Sequence, residues 1–370
     1  MIRRPPRSTP KPSSAASDVY KRQYQNNAVT LLKQLISIKS FSFQEDETAY
    51  TIQEWLKKNN IKTERQVNNV IAYNKFFDPK KPSILLNSHH DTVEPNSGYT
   101  IDPYSPIIED DKLYGLGSND AGGALCSLIS TFSYFYDKDG LNFNIILLAS
   151  AEEERSGDHG IKSVMPNLPE IELAIIGEPT LMDIAIGEKG LIVFDLVIKG
   201  TSSHAAHKNL NNPIIKSTTI IEKISNMSFP KSSKTLGDVK LTVTQINAGV
   251  QHNVVPSEVK IVLDARVNDN YTNKEIYDCL KNELDCEVHP RNLDLNSSSI
   301  NESLKIIEAA NNLKFKKYGS PTLSDQAKIK CNSIKLGPGD SLRSHLSLIH
   351  ISEPTRQAEI AYAGVCLEKK

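Results

Sequence analysis

Short apolar runs that stop at a histidine or an acid constrain this chain most. Residues 69–73, 83–87, 144–149 and 173–176 are strand-sized and apolar, and a helical stretch over 120–135 lies between the second and third runs. Strands that lack polar alternation are buried on both faces, as in parallel sheets covered by helices. The pattern therefore predicts an α/β domain with a mostly parallel sheet, whose function gathers at the carboxyl ends of its strands. Upstream, Val29, Leu31, Leu32, Leu35 and Ile36, then Ala49, Ile52, Trp55 and Leu56, recur at helical spacing.

After Gly190 the texture changes. Residues 191–199, 239–247 and 258–267 alternate apolar and polar side chains, with helical patterns at 213–224 and 273–284 and a short strand at 286–289. The order strand, helix, strand, strand, helix, strand predicts a ferredoxin-like α+β sandwich. A helix at 304–313 and a strand at 334–336 then return to the first pattern. The expected organisation is a discontinuous first domain, 24–189 and 295–345, with 190–294 inserted as a second.

The ends are read apart from this. Segments 1–23 and 346–370 resemble translated sequencing-adapter read-through and are treated as non-native tails; the alternative is a targeting tail and a genuine terminal helix. The whole chain has 43 basic and 44 acidic residues; without the six basic and one acidic residue of 1–23, and three of each in 346–370, 34 and 40 remain. The 322 residues between the tails thus carry a net charge of -6. No basic surplus points to nucleic acid, no apolar run is long enough to span a bilayer, and five cysteines without CxxC pairing favour reduced thiols in a cytoplasmic setting.

Four groups of residues carry chemistry. A buried run passes directly into His89-His90-Asp91, where an imidazole could bind a metal while a carboxylate two residues on fixes its tautomer; a surface loop is the bland reading. Asp120 precedes Gly122-Gly123 and reads as a helix N-cap, a carboxylate bridging two cations, or part of a phosphate cradle, although no nucleotide-binding glycine motif accompanies it. Glu152-Glu153-Glu154 follow the most apolar strand, and Glu178 follows 173–176 through Gly177. A charged surface turn explains three acids in a row, but adjacent like charges at a buried strand end need a cation to stay ionised together.

His89-x-Asp91-Thr92-Val93, Asp120 with Gly122-Gly123, Glu152-Glu153-Glu154 and Gly177-Glu178-Pro179-Thr180 together resemble the co-catalytic zinc amidohydrolases: the family of acetylornithine deacetylase, succinyl-diaminopimelate desuccinylase, aminoacylase and glutamate carboxypeptidase. Gly200-Thr201-Ser202-Ser203-His204, Asn253-Val254-Val255-Pro256, Asp264-x-Arg266, Ser324-Asp325 and the 337–345 loop extend the resemblance over nearly all of 24–345. It implies a zinc-peptidase-like catalytic domain with an inserted lid and dimerisation domain. Asp120 would bridge two zinc ions, with Co2+ or Mn2+ as substitutes; His89 and Glu178 would complete one site, Glu154 and His345 the other. Asp91 would orient His89, Glu153 would be the general base, and His204 would reach a partner subunit's site to stabilise an oxyanion. Asn253, Arg266, Arg343 and Gly337 would hold substrate, with a lid ion pair as the plain alternative for Arg266.

Two departures stand out: Ser88 where the family usually has glycine, and an end of the pattern at His345. The activity implied is hydrolysis of the amide of a small N-acyl amino acid by a cytoplasmic homodimer, first of the acetylornithine deacetylase type and so of arginine biosynthesis. Desuccinylase, dipeptidase or carboxypeptidase activity on the same scaffold is the alternative. A non-catalytic zinc-binding homologue and a phosphate-binding α/β protein are the rivals from other classes.

Overall fold

The computed structural model describes residues 14–96, 98–344 and 348–350. Its larger domain is built on a nine-stranded mixed sheet. The order is Glu64–Gln66, Asn69–Tyr73, Asn144–Ser150, Ser83–His89, Ile171–Ile176, Asn332–Lys335, Ile184–Glu188 and Ser298–Ser299, with Lys317–Ser320 also on Ile184–Glu188. The four strands from Asn144–Ser150 to Asn332–Lys335 run parallel. All seven residues of Asn144–Ser150 are buried, as an uninterrupted apolar run requires.

Alternation sorts these side chains between two cores. Ile145, Leu147 and Ala149 pack with Leu31, Leu35, Ile52, Leu56, Ile129 and Phe132 under the helices Ser14–Ile36, Asp46–Lys58 and Gly123–Phe135. Ile146 and Leu148 join Leu85, Ile161, Val164 and Ala174 on the opposite face. Each such side chain, taken from water, contributes roughly 1.5–3 kcal/mol before the entropy of ordering is subtracted.

Register fixes where the strands end. Asn87 lies opposite both Leu148 and Ile176, and Lys335 opposite Ile176. His89, the 151–154 turn, Gly177-Glu178 and the 337–343 loop consequently leave the sheet along one rim.

The first helix begins at Ser14, ahead of the Tyr24 at which its apolar pattern sets in, so part of the segment read as a tail is helical. Tyr24 itself packs edge-on against Tyr134, with ring centroids 5.8 Å apart. At the other end Leu348–His350 pairs antiparallel with Lys112–Tyr114. The strands Ile184–Glu188 and Lys317–Ser320 carry no signal strong enough to have been read from sequence.

The inserted domain is a four-stranded antiparallel sheet in the order Lys240–Ala248, Glu258–Val267, Gly190–Lys199, Glu287–Pro290. Helices Pro213–Asn226 and Asn273–Glu283 pack on it, so Ile220, Ile224, Ile276 and Leu280 meet Ile192, Phe194, Ile261 and Leu263. Both helices start on capping residues: Asn212 accepts from Ile214 N, and Thr272 with Glu275 forms a capping box. Strand, helix, strand, strand, helix, strand is the ferredoxin-like order expected. Among the described residues no helix is long and apolar enough to cross a membrane, and Cys126, Cys279, Cys286 and Cys331 are free.

Candidate metal centre

His89 ends its strand with its ring 1 % exposed. Its Nδ1 donates to the Asp91 carbonyl at 3.0 Å and lies 3.4 Å from Asp91 Oδ1, which turns Nε2 toward Asp120 Oδ1, also at 3.4 Å. Burial would lower the His89 pKa, but the hydrogen bonds to Asp120 and Asp91 and the Glu153 charge lift it well above the ordinary value. Burial would likewise raise Asp91, yet His89 and the Ser42 hydroxyl, 2.6 Å away, hold it down to about 2. Neighbouring His90 faces the other way, between Thr48 Oγ1 and the Asn68 carbonyl, and burial pushes it down to about 4. A neutral His90 serves packing.

Asp120 is not the cap of its helix. Gly122 occupies that position, while Asp120 has an extended backbone and a cis peptide to Ala121. Gly117, at φ 74°, starts this departure, and a Cβ on Gly122 would come within 2.6 Å of the Gly117 carbonyl. The Asn119 amide brackets Asp340, receiving its N–H at 2.9 Å and donating to its carbonyl at 3.1 Å.

The 152–154 turn is held by its backbone. Three successive N–H groups donate to carboxylates at 3.1 Å: Glu152 to Glu45 Oε1, Glu153 to Asp91 Oδ1 and Glu154 to Asp91 Oδ2. Glu152 adopts φ 56° and turns its own carboxylate inward to the His159 N–H at 3.0 Å. Glu152 therefore shapes the turn that presents Glu153 and Glu154. Ligand atoms of His89, Asp120 and Glu154 all lie within 4.8 Å of one another.

Glu178 joins the same charged group. Burial, with Asp120 alongside, pushes its carboxyl up to about 8. Burial and repulsion from Glu178, Asp325 and Glu154 raise Glu153 well above the carboxylate range, against the pull of His89. Ser88, the departure from the family glycine, donates its hydroxyl to the Gly177 carbonyl at 2.8 Å and so ties the two strand ends together. One imidazole nitrogen and a set of crowded carboxylates are a borderline-to-hard donor set that suits zinc, cobalt or manganese. The charge excess raising these carboxyls is the one a divalent cation relieves.

The remaining predicted residues stand on other elements. His204 is exposed on the short strand Ser203–His204, paired with Val254–Val255, and its Nδ1 accepts from Ala206 N. Asn253 is exposed beside it and gives its carbonyl to Ala205 N. Arg266 forks onto Asp264, Nε to Oδ1 at 2.9 Å and Nη2 to Oδ2 at 3.1 Å, which is the lid ion pair of the plain reading. Gly337 is buried against the Glu178 carbonyl, its N–H donating to Thr180 Oγ1, and Arg343 closes the short turn capped by Asp340. His345 lies outside the described residues.

Sequence reasoning missed two supports of the site. Glu45, fully buried, holds the 152–154 turn, and Asp325 bridges Ser150 Oγ at 2.7 Å and Asn87 Nδ2 at 3.2 Å beneath the strand ends. Ser324-Asp325 was visible as a motif, whereas an acid before a helix gave no cue to Glu45.

Along one rim of the mixed sheet the strand ends thus bring one histidine and several carboxylates together in a group that could hold a metal ion. Residues 186–292 match the peptidase dimerisation domain. The succinyl-diaminopimelate desuccinylase of Helicobacter pylori (strain P12) is 30 % identical over 260 residues, 64 % of this chain and 67 % of that protein. That of Rickettsia bellii (strain RML369-C) is 28 % identical over 348 residues, 83 % and 88 % of the two chains. Among solved structures, an M20 family metallo-carboxypeptidase from Sulfolobus solfataricus superposes with TM-score 0.73 at 19 % identity, over 92 % of this chain and 98 % of that one. A dinuclear metal binding peptidase of the same family from Bacillus subtilis gives TM-score 0.67 at 16 % identity, over 94 % and 100 %. The chain belongs to the M20 family of metallopeptidases and amidohydrolases.

Proposed function

We propose that this enzyme removes the succinyl group from the nitrogen of an amino acid by hydrolysis, as a succinyl-diaminopimelate desuccinylase does, with two zinc ions. The relatives support this substrate class over N-acetylornithine, which the resemblance put first; their name points to lysine rather than arginine biosynthesis. The observation that carries the reading is the convergence of His89, Asp120 and Glu154 within 4.8 Å, with Glu153 next in chain. Asp120 would be shared between the two ions, His89 and Glu178 serving one and Glu154 and His345 the other. Metal bound there supplies Lewis acidity and an acidic water.

The chain's own groups do the rest. Asp91 fixes the His89 tautomer through the 3.0 Å contact to its carbonyl. Glu153 takes a proton from the attacking water and returns it to the leaving nitrogen. Arg266, released from Asp264, reads a substrate carboxylate with Arg343, Asn253 and Gly337 nearby in role, and His204 serves the oxyanion of a partner subunit. Residues 190–294 act as lid and dimer surface between catalytic parts 24–189 and 295–345, in a cytoplasmic homodimer. The edge strand Lys240–Ala248 and the exposed Ile214 and Ile215 of the adjacent helix support that use of the lid.

Glu153→Gln tests the assignment. Turnover of N-succinyl amino acids should fall by about 10²–10⁴ while metal content is unchanged. Loss of metal instead, or wild-type enzyme that prefers N-acetyl over N-succinyl substrates in a free-amine assay with and without chelator, would overturn the corresponding part.

A further inference from the structure

Glu45 occupies the position ahead of the helix Asp46–Lys58 where Ser, Thr, Asp or Asn usually caps the first turn, and its side chain makes no capping hydrogen bond. It points the other way and is fully buried. Oε1 accepts the Phe43 N–H at 2.7 Å and the Glu152 N–H at 3.1 Å; Oε2 accepts Asn68 Nδ2 at 2.9 Å. The Asn68 amide is itself oriented, because its Oδ1 accepts Arg65 Nη2 at 2.8 Å. A relay of polar groups thus runs from the half-buried Arg65 to the backbone of the turn that presents Glu153 and Glu154.

We infer that Glu45 is a positioning residue for the hydrolytic site, setting the left-handed backbone of Glu152 and through it the aim of Glu153 and Glu154. The inference rests on the reading of those two acids given above. Asp91 fixes the N–H groups of 153 and 154, and the Glu152 carboxylate and carbonyl hold the N–H groups of His159 and Gly157, which leaves the N–H of Glu152 itself to Glu45. Glu45 supplies the third point, on the residue whose φ of 56° sets the direction of entry. Its carboxylate adds to Asp91 a second acceptor of backbone N–H beneath the turn, so three successive backbone dipoles of the turn end on buried carboxylate oxygens.

The test compares Glu45→Ala with Glu45→Gln, reading zinc and cobalt affinity by competition with a chromophoric chelator, kcat and KM on an N-succinyl amino acid, and folding by circular dichroism. Glu45→Ala should lower metal affinity and kcat by about tenfold or more with KM unchanged, and Glu45→Gln, which keeps an oxygen for the Glu152 N–H, should recover most of both. Wild-type affinity and kcat in folded Glu45→Ala, or equal losses in the two variants, overturn the inference. Should Glu45→Ala not fold, Asn68→Ala, which frees Glu45 Oε2 and the Arg65 guanidinium but leaves Oε1 on the Glu152 N–H, carries the comparison: a smaller drop in affinity is expected, and no drop overturns it. Wild-type enzyme inert on every acyl amino acid would sink the functional reading alone, because metal affinity still decides the role of Glu45.

Discussion

Asp91 grips Glu154 by its backbone: Oδ2 receives the Glu154 N–H at 3.1 Å, on the carboxylate whose other oxygen receives the Glu153 N–H. The same residue gives its carbonyl to His89 Nδ1. One buried acid therefore orients a histidine from one strand and a turn from the next. Asp91→Ala should lower metal affinity by about 10–100-fold in folded protein, read by chelator competition. Unchanged affinity would show that sheet register alone suffices.

Metal loading should release protons. Burial and the neighbouring Asp120 push Glu178 up to about 8, so at pH 7 metal-stripped protein would give up a proton when Glu178 serves as a ligand. Affinity should accordingly rise between pH 6 and 8. Calorimetric titration with zinc in two buffers of different ionisation enthalpy measures the protons released, and equal heats in both would refute this.

Gly157 has no room for a side chain, since a Cβ there would collide with Glu152 Oε2 and lie 2.6 Å from Glu152 Cβ. Gly157→Ala must displace the inward carboxylate and with it the His159 N–H contact. A loss of about 1–3 kcal/mol in stability is expected from the overpacking, accompanied by weaker metal binding. Thermal unfolding at the wild-type temperature would contradict it.

Lys335 meets Glu188 at 3.0 Å with both side chains almost wholly buried, and Ser324 donates to the same oxygen at 2.7 Å. Burial raises the Glu188 pKa, and Lys335 restrains the rise. Lys335→Met strands the acid and should cost about 3–5 kcal/mol. A carboxyl whose folded pKa is raised favours the fold while protonated, below the unfolded pKa, and loses that advantage as pH climbs through the folded value. The deficit in denaturant unfolding should thus be larger at pH 8 than at pH 5, and a pH-independent deficit would exclude Glu188 as its cause.

Much of this was legible because buried parallel strands write themselves as uninterrupted apolar runs. The ends at His89, Glu152–Glu154 and Glu178 fell where the runs stopped, and the lid followed from alternation. Asp120 was less transparent: helix capping is the ordinary use of an acid ahead of a helix, and only the backbone of 117–122 shows that Gly122 has taken that place. Glu45, Asn68 and Asp325 reach the site across 107, 23 and 175 residues of chain to their respective partners Glu152, Glu45 and Ser150, and local pattern carries no trace of such contacts. The Glu188–Lys335 pair was hidden for the same reason.

The shared grip of Asp91 bears on how the centre fills. In the proposed assignment His89 serves one ion and Glu154 the other, and a single residue disciplines both, His89 chiefly through its carbonyl and the turn through its carboxylate. An ion that tightens His89 against Asp91 also stiffens the turn awaiting its neighbour, so occupancy should climb cooperatively, and partial loading by a scarce metal would be short-lived.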